Sequence, residues 1–563
     1  MSRWWLSLIV VIGPAFAAGE SPRFEPAEPE RQYISMRDGV RIYLEVYKPD
    51  LPAASFPTLL MRTPYDNVTI PPQTRGKSLF PDFVTRGYAV VRAEVRGTGI
   101  SEGEFGFLEK DGEDGCDTIA WILEQPWCDG NIGTFGHSYL GMNQFPVAGR
   151  KPPGLKAMFV GVAGADLYAE TTHPGGVLST GLLNWAIRHI GHLGPPHVPL
   201  LNIAPEPFDA RIYDMQEKVH NERLRKTLDS VLEGGAVYDD AFIEQWIAHP
   251  HDGPFWQRES PQSFFEETAI PIHCWGGWYD YFITGTVRAF QEIEAPKKLT
   301  VGPWFHPQTE NPACIEAQVR WFDYWLKGID NGVMEEPAVK YYAPGLEEWL
   351  ETPIWPPETR TLNFFLTPSS SPHTLGRSGS LQVETPNAST APDEIGHDPE
   401  NPIPAVAFRN ADIRRAEERS LVYTTQPFET DALIAGTLKL VLYFSTDADD
   451  VDWFARIGEV LPDGESIVFT SGVLKGSHYR SHETPEPLVS EKVYRMEVEL
   501  APTCRFVTAG HSLRLSLGNS HFPGFRPNPV PSRNLVYMDA DRGSRLEIPV
   551  VMGSAIRGVE TPR

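Results

Sequence analysis

Residues 131–145, NIGTFGHSYLGMNQF, constrain the fold of this chain more than any other segment. A β-prone run is broken at Gly136 and a segment that can form a helix begins at Leu140, so Ser138 lies at a predicted strand-to-helix turn. Such a turn exposes a serine hydroxyl, and Gly136 and Gly141 give the sharp backbone reversal the room it needs. The second glycine comes one position later than in the general G-x-S-x-G elbow. Taken alone, the segment therefore also fits an ordinary buried strand-turn-helix.

Strands and helices alternate through the first 150 residues. A turn at Asp38-Gly39 between two β-prone runs predicts a hairpin. Buried strands are predicted at 56–62 and 88–95, and a helix at 111–124 leads to the strand before Ser138. This order predicts a doubly wound, mostly parallel sheet, which presents functional groups at the carboxyl ends of its strands.

Two further residues follow predicted strands and match the order of a catalytic triad. Asp280 comes after the strand at 270–275, and His306 comes after the strand at 298–301. Singly, Asp280 also fits a helix N-cap and His306 a surface loop. Together with Ser138 they give the order nucleophile, acid, base of an α/β-hydrolase, so a triad of these three residues is predicted.

The remaining segments predict a lid and a second domain. Residues 151–261 read mainly as helices, divided by a proline-rich stretch at 193–207, and are predicted to cap the active site. After a linker at 353–357, short regularly spaced strands predict a β-sandwich, with a long loop at 368–404. The predicted parts are a signal peptide at 1–17, an α/β-hydrolase core at 18–150 and 262–350, the lid at 151–261 and a jelly-roll sandwich at 351–563.

Composition restricts the partners and the compartment. A formal net charge of -25 argues against nucleic acid and anionic membranes as partners. The basic start, the short apolar run and the Ala15-Phe16-Ala17 site predict a secretory signal peptide, hence a secreted or periplasmic protein with no membrane contact after cleavage. A retained membrane anchor is the alternative.

The cysteines and histidines give no sign of a metal site. A Cys116–Cys128 disulfide stays open, and no C-x-x-C or H-E-x-x-H spacing occurs, so neither a metal nor a cofactor is expected.

Six ordered motifs resemble the cocaine-esterase family, which also includes α-amino-acid ester hydrolases, cephalosporin acylases and X-prolyl dipeptidyl peptidases. They are GHSYLG at 136–141, PYD at 64–66, RG at 96–97 with SEG at 101–103, QPWCDG at 125–130, GWYD at 277–280, and GPW at 302–304 with His306. The G-x-S-Y-x-G elbow of the family has the same displaced glycine. The resemblance spans nearly the whole mature chain, including the C-terminal jelly roll.

The resemblance also implies roles for two tyrosines. The hydroxyl of Tyr65 and the backbone N–H of Tyr139 are expected to form the oxyanion hole; Tyr65 as a plain aromatic wall is the alternative. Members that recognise a free α-amino group use carboxylates, for which Asp166 and Glu170 are the candidates here, with solvated surface acids as the alternative.

The expected function is hydrolysis of carboxylic ester or amide bonds through an acyl-enzyme on Ser138. The expected partner is a small ester, amide or short peptide, and the rim of the sandwich is compatible with a homo-oligomer. X-prolyl dipeptidyl aminopeptidase activity is the first alternative. The second, of another class, is a catalytically silent hydrolase-fold protein that binds glycan or a protein partner.

Overall fold

The computed structural model describes residues 24–51, 54–65, 80–189, 241–368, 377–386, 390–405 and 410–552. The predicted signal peptide and the proline-rich stretch at 193–207 lie outside the described residues. In the described part, no helix is both long and apolar enough to cross a membrane.

The N-terminal part is built on a ten-stranded sheet with the order β1-β2-β4-β3-β5-β6-β7-β8-β9-β10. Pairing is parallel from β4 through β9 and antiparallel at the two ends. The strands are β1 Glu30–Ser35, β2 Arg41–Tyr47, β3 Phe56–Thr63, β4 Ala89–Glu94, β5 Cys128–His137, β6 Leu155–Gly161, β7 Ile272–Tyr279, β8 Lys297–Phe305, β9 Val339–Ala343 and β10 Glu348–Thr352.

Most of the described helices pack on the sheet or lie in the insertion between β6 and β7, and the last one lies in the C-terminal part. The described α-helices are α1 Phe80–Val84, α2 Asp111–Leu123, α3 Tyr139–Met142, α4 Gln144–Gly149, α5 Thr180–His189, α6 Ala241–Ala248, α7 Pro254–Gln257, α8 Ile283–Glu292, α9 Pro312–Lys327 and α10 Asn410–Glu417. The single helix predicted after Ser138 is divided into α3 and α4 at Asn143.

The central strands explain why the sheet forms where it does. All eight residues of β3 and all six of β4 are buried, as expected for parallel strands covered by helices on both faces. Since β3, β5, β6, β7 and β8 are parallel neighbours, their carboxyl ends lie along one edge of the sheet. The residues that follow these strands are therefore brought to one rim of the molecule.

The C-terminal part is a β-sandwich of described strands around a second apolar core, which includes Leu440, Trp453 and Leu515. The strands are β11 Thr359–Thr367, β12 Arg377–Gln382, β13 Asp393–His397, β14 Leu421–Thr425, β15 Ala432–Gly436, β16 Lys439–Thr446, β17 Asp452–Val460, β18 Ser466–Lys475, β19 Tyr494–Glu499, β20 Thr503–Val507, β21 Ser512–Gly518, β22 Ser532–Tyr537 and β23 Arg545–Val551. The predicted fold class, an α/β-hydrolase core with a C-terminal β domain, is confirmed.

The sequence prediction of a plain loop at 368–404 is wrong in part. Strand β12 pairs parallel with β14, and β13 pairs with β22 near the end of the chain. Both strands are short, and although β12 also pairs antiparallel with the preceding β11, their other partners are distant in sequence, so local periodicity gave no sign of them. All five cysteines are free thiols, so the chain has no Cys116–Cys128 disulfide.

The start of lid helix α5 is hydrogen-bonded to the sandwich. The backbone N–H of Thr180 donates to the carbonyl of Gly524 at 3.2 Å, and the Thr180 hydroxyl donates to the carbonyl of Pro523. Just before the helix, the carbonyl of Leu178 accepts from the backbone N–H of Arg526 at 3.0 Å. The sandwich therefore fixes where this helix begins above the sheet.

Candidate active site

Ser138 stands at the end of β5 in a backbone conformation that few residues other than glycine adopt. Its φ is 62° and its ψ is -125°, and helix α3 starts at the next residue. The backbone N–H of Ser138 donates to the carbonyl of Gly161 on β6 at 3.0 Å. A non-glycine residue with such angles stores about 1–3 kcal/mol of strain, and strain of this kind clusters at active sites. The half-buried serine is thus held at a nucleophile elbow.

The two glycines around Ser138 are required by close approach of the backbone. A Cβ at Gly136, whose φ is 155°, would lie 2.4 Å from the Cβ of Leu140. A Cβ at Gly141 would lie 2.6 Å from the Gly161 carbonyl oxygen, the same atom that accepts from Ser138. Both glycines therefore have the role that the sequence indicates, including the one displaced from the general elbow.

Asp280 and His306 form a hydrogen-bonded pair at the ends of β7 and β8. The distance from Nδ1 of His306 to Oδ2 of Asp280 is 2.5 Å, and Oδ1 accepts from the backbone N–H of Phe282 at 2.7 Å. The Asp280 side chain is fully buried, whereas that of His306 is 27% exposed. The carboxylate thereby fixes the orientation of the imidazole.

The segment after His306 packs directly against the elbow. His137, next to the serine, has Nδ1 3.6 Å from Oε1 of Glu310 and Nε2 3.5 Å from Sγ of Cys314. Burial, followed by the nearby His306, lowers the pKa of His137 to about 3, so its ring is neutral at pH 7. The three predicted triad residues share one edge of the sheet, with His306 rather than His137 bonded to the acid.

Tyr65 and Tyr139 both contact one indole from the lid. The Nε1–H of Trp185 donates to the hydroxyl of Tyr65 at 3.2 Å, with the two rings nearly perpendicular. The ring of Tyr139 is stacked on the same indole, with centroids 6.1 Å apart. Tyr139 is the first residue of α3, so its backbone N–H is one of the donors that a helix start leaves unpaired within the helix. Tyr65 follows β3, the strand beside β5.

A buried ion pair holds the phenol of Tyr139. Its hydroxyl donates to Oδ2 of Asp111 at 2.6 Å, and Nη1 of Arg62 lies 2.8 Å from Oδ1 of the same carboxylate. Burial and then the Asp111 charge raise the pKa of Tyr139 well above its usual value, so the phenol stays a donor. Sequence reasoning missed both Asp111 and Trp185, because it gave them only as a helix start and a helix core.

The two carboxylates proposed for a substrate ammonium group serve the local fold. Asp166 caps a π-helical turn: Oδ1 accepts from Tyr168 N and Ala169 N at 2.8 Å, and Oδ2 accepts from Gln262. The side chain of Glu170 is 7% exposed; its Oε2 accepts from Ala165 N at 2.8 Å, and its Oε1 lies 2.9 Å from Nη2 of Arg288. Burial raises the pKa of Glu170, and Arg288 opposes that shift. This geometry gives no support to an ammonium-binding role for either residue.

Aromatic side chains from the core and the lid adjoin Tyr139 and Trp185. Phe107 has its ring centroid 5.4 Å from Tyr139, 5.6 Å from Trp185 and 5.3 Å from Trp246 of α6. The ring centroid of Phe282, two residues after Asp280, lies 5.8 Å from that of His306. The described ranges contain no candidate metal site: no group of three or more His, Cys, Asp or Glu side chains there is arranged to hold a metal ion. Aromatic rings thus surround Tyr139 and Trp185 on the side that faces the insertion.

Comparison with known proteins matches both parts of the chain. A family model described as X-Pro dipeptidyl-peptidase (S15 family) matches residues 38–308, and that of the X-Pro dipeptidyl-peptidase C-terminal non-catalytic domain matches residues 331–547. Cocaine esterase of Rhodococcus sp. (strain MB1 Bresler) is 30% identical over 540 residues, which span 88% of this chain and 91% of the esterase.

Two solved structures resemble this chain over nearly its whole length. An α-amino-acid ester hydrolase aligns with a TM-score of 0.74 and 20% identity, covering 97% of this chain and 100% of its own. An aminopeptidase from the marine sediment archaeon Thaumarchaeota archaeon aligns with a TM-score of 0.76 and 20% identity, covering 96% of this chain and 99% of its own. At this level of identity, the two matches show the fold.

Proposed function

Because the chain belongs to the cocaine-esterase and X-Pro dipeptidyl-peptidase (S15) family of serine hydrolases, which act on ester or amide bonds, we propose that it hydrolyses carboxylic esters on Ser138. The observation that carries this proposal is the strained elbow of Ser138 at the same sheet edge as the bonded pair of Asp280 and His306. A serine is made nucleophilic by such an imidazole, and the acid fixes the tautomer that accepts the proton.

The proposed reaction has two halves. In the first, the Ser138 oxygen attacks the ester carbon, His306 takes the serine proton, and the alcohol leaves with that proton as the acyl-enzyme forms. In the second, His306 takes a proton from water, the hydroxide attacks the acyl carbon, and the carboxylic acid is released as Ser138 regains its proton. Asp280 stabilises the imidazolium in both halves. The negative oxygen of each tetrahedral intermediate accepts from the Tyr139 N–H and the Tyr65 hydroxyl.

Substrate preference is proposed from the side chains beside the elbow. Trp185 supplies half-buried aromatic surface beside the elbow and packs on the buried rings of Phe107 and, through it, Trp246, which favours an apolar acyl group. Asp166 and Glu170 are engaged within the chain, which disfavours a substrate that must present an α-ammonium group. We therefore propose esters of bulky apolar acids as the substrates, and the cocaine esterase among the relatives is named for activity on an ester.

A matched pair of substrates tests this preference. The p-nitrophenyl ester of 3-phenylpropanoic acid differs from that of phenylalanine only by the α-ammonium group. We expect the neutral ester to give the higher kcat/KM with the purified full chain. A tenfold preference for the phenylalanine ester would contradict the proposed substrate class and favour an α-amino-acid ester hydrolase.

Labelling of Ser138 tests the catalytic assignment itself. A fluorophosphonate should modify Ser138 in the folded protein, and Ser138→Ala should abolish both labelling and ester hydrolysis. An unlabelled Ser138 in a protein that binds glycan or a protein partner would favour the catalytically silent alternative.

The second candidate activity is release of an X-Pro dipeptide from an amino terminus. The family model that matches residues 38–308 favours it. It is tested with glycyl-prolyl-p-nitroanilide, and it is rejected if this substrate is not turned over under conditions in which p-nitrophenyl esters are.

Export is proposed from the sequence of the first residues. The Ala15-Phe16-Ala17 site supports cleavage after Ala17. Expression with a downstream tag should give a secreted or periplasmic product whose N-terminal residue is Ala18; a product that starts at Met1 in the membrane fraction would favour a retained anchor.

A further inference from the structure

Trp185 of lid helix α5 is joined to both residues of the proposed oxyanion hole. Its indole N–H donates to the Tyr65 hydroxyl at 3.2 Å, and the rings meet edge to face at 88° with centroids 6.4 Å apart. Its indole face stacks on Tyr139 at an interplanar angle of 25°. One half-buried lid side chain thus contacts both tyrosines through different parts of the same ring system.

We propose that Trp185 is a positioning residue for oxyanion stabilisation: its N–H orients the hydroxyl of Tyr65 so that the phenol donates to the substrate oxygen. The proposal rests on the proposed function, in which Tyr65 supplies that hydrogen bond. A phenol O–H lies near the plane of its ring, where it has two orientations. A donor that occupies one of them directs the O–H to the other.

The same hydrogen bond strengthens Tyr65 as a donor. A hydroxyl that accepts a hydrogen bond becomes more polarised and donates more strongly, particularly where water is scarce. Tyr65 is 9% exposed, so little solvent competes for its oxygen. Since the negative charge on the substrate oxygen develops in the transition state, the benefit should appear in kcat more than in KM.

The position of Trp185 depends on the sandwich. Thr180, at the start of α5, is bonded to the carbonyls of Pro523 and Gly524. Trp185 lies five residues further along, about one and a half turns from that anchor. The loop of the C-terminal domain thus fixes the helix that carries the indole, and through it the orientation of Tyr65.

A double-mutant cycle tests the proposal with the full chain and a p-nitrophenyl ester. We expect Tyr65→Phe to lower kcat about 100-fold, as the loss of one oxyanion donor does. Trp185→Phe keeps an aromatic ring without the N–H and should lower kcat about fivefold, with KM within about twofold. In the Tyr65→Phe background, Trp185→Phe should change kcat less than about twofold, because the indole then has no hydroxyl to orient.

Trp256→Phe is the matched control. This substitution also removes an indole of the insertion, whose N–H donates to the His249 carbonyl at 3.0 Å. Trp256 is a buried core residue. Its effect on kcat should be the same in the wild-type and Tyr65→Phe backgrounds. If Trp185→Phe is not folded by circular dichroism, Trp185→Leu, which also lacks the N–H, takes its place in the cycle.

Three outcomes separate the claims. Equal fold losses for the Trp185 variant in both backgrounds would overturn the proposal, because packing alone gives that result. A Tyr65→Phe enzyme with kcat within twofold of wild type would also overturn it, while the Ser138 assignment would stand. Full activity of Ser138→Ala would instead contradict the proposed function.

Discussion

Gly141→Ala should damage both the stability and the activity of the protein, although it adds one methyl group. The new Cβ would lie 2.6 Å from the Gly161 carbonyl oxygen and 3.2 Å from the Cβ of Ala163. Carbon and carbonyl oxygen atoms normally meet at about 3.3 Å or more, so the elbow has to move away from β6. The oxygen cannot yield freely, because it accepts the backbone N–H of Ser138 at 3.0 Å.

The magnitude follows from two contributions. Overpacking in a rigid interior costs about 1–3 kcal/mol, and weakening of the bond between Ser138 and Gly161 adds about 1 kcal/mol. We therefore expect the free energy of unfolding to fall by about 2–4 kcal/mol. A displacement of the serine oxygen approaching 1 Å should lower kcat about 100-fold.

The assay is urea unfolding followed by tryptophan fluorescence, together with kcat for a p-nitrophenyl ester. Gly181→Ala is the control, since a Cβ there meets only the Ser179 hydroxyl, at 3.8 Å, in an exposed helix position. That variant should be as stable as wild type or more stable by up to about 1 kcal/mol. The reasoning is refuted if the free energy of unfolding of Gly141→Ala lies within about 0.5 kcal/mol of wild type, the usual range for surface substitutions, and its kcat lies within about twofold.

Three further predictions concern the strain at Ser138, the acid Asp280 and the buried histidine His478. Ser138→Gly should be more stable than Ser138→Ala by about 1 kcal/mol, because only glycine relaxes at a φ of 62°; equal urea midpoints for the two variants would contradict stored strain. Asp280→Asn should lower kcat about 10⁴-fold by favouring the wrong tautomer of His306, measured with the same ester; a loss below tenfold would exclude Asp280 as the acid. Burial lowers the pKa of His478 to about 3 from 6.5, so the unfolded chain binds the proton first and stability is lost as the pH falls from about 6.5 towards 3. The free energy of unfolding of the wild type should therefore fall between pH 6.5 and pH 5, and His478→Gln should reduce that fall by up to about 2 kcal/mol, as measured by urea unfolding at both pH values. The same pH dependence in both proteins would contradict a buried neutral ring.

The fold class and the candidate triad could be predicted because each has a local signature. Ser138, Asp280 and His306 each follow a predicted strand, and parallel strands bring such positions to one edge of the sheet. The sequence also indicated the role of Gly141, because a strand and a helix that approach closely need a small residue where they meet.

The supporting contacts had no local signature. Trp185 and Tyr65 are 120 residues apart, and their hydrogen bond depends on how the inserted helix docks on the core. Asp111 is ordinary as an acid in the first turn of a helix; only the fold shows that its carboxylate holds the phenol of Tyr139. Asp166 and Glu170 were candidates as carboxylates after a strand, but a tight turn uses both.

The hydrogen bonds between Thr180 and the Pro523-Gly524 loop have a consequence for engineering. The C-terminal domain supports the start of α5, so chimaeras with relatives should exchange the start of this helix and the loop as one unit. A crossover placed between them would join segments from different parents, and the position of α5, which carries Trp185, would change.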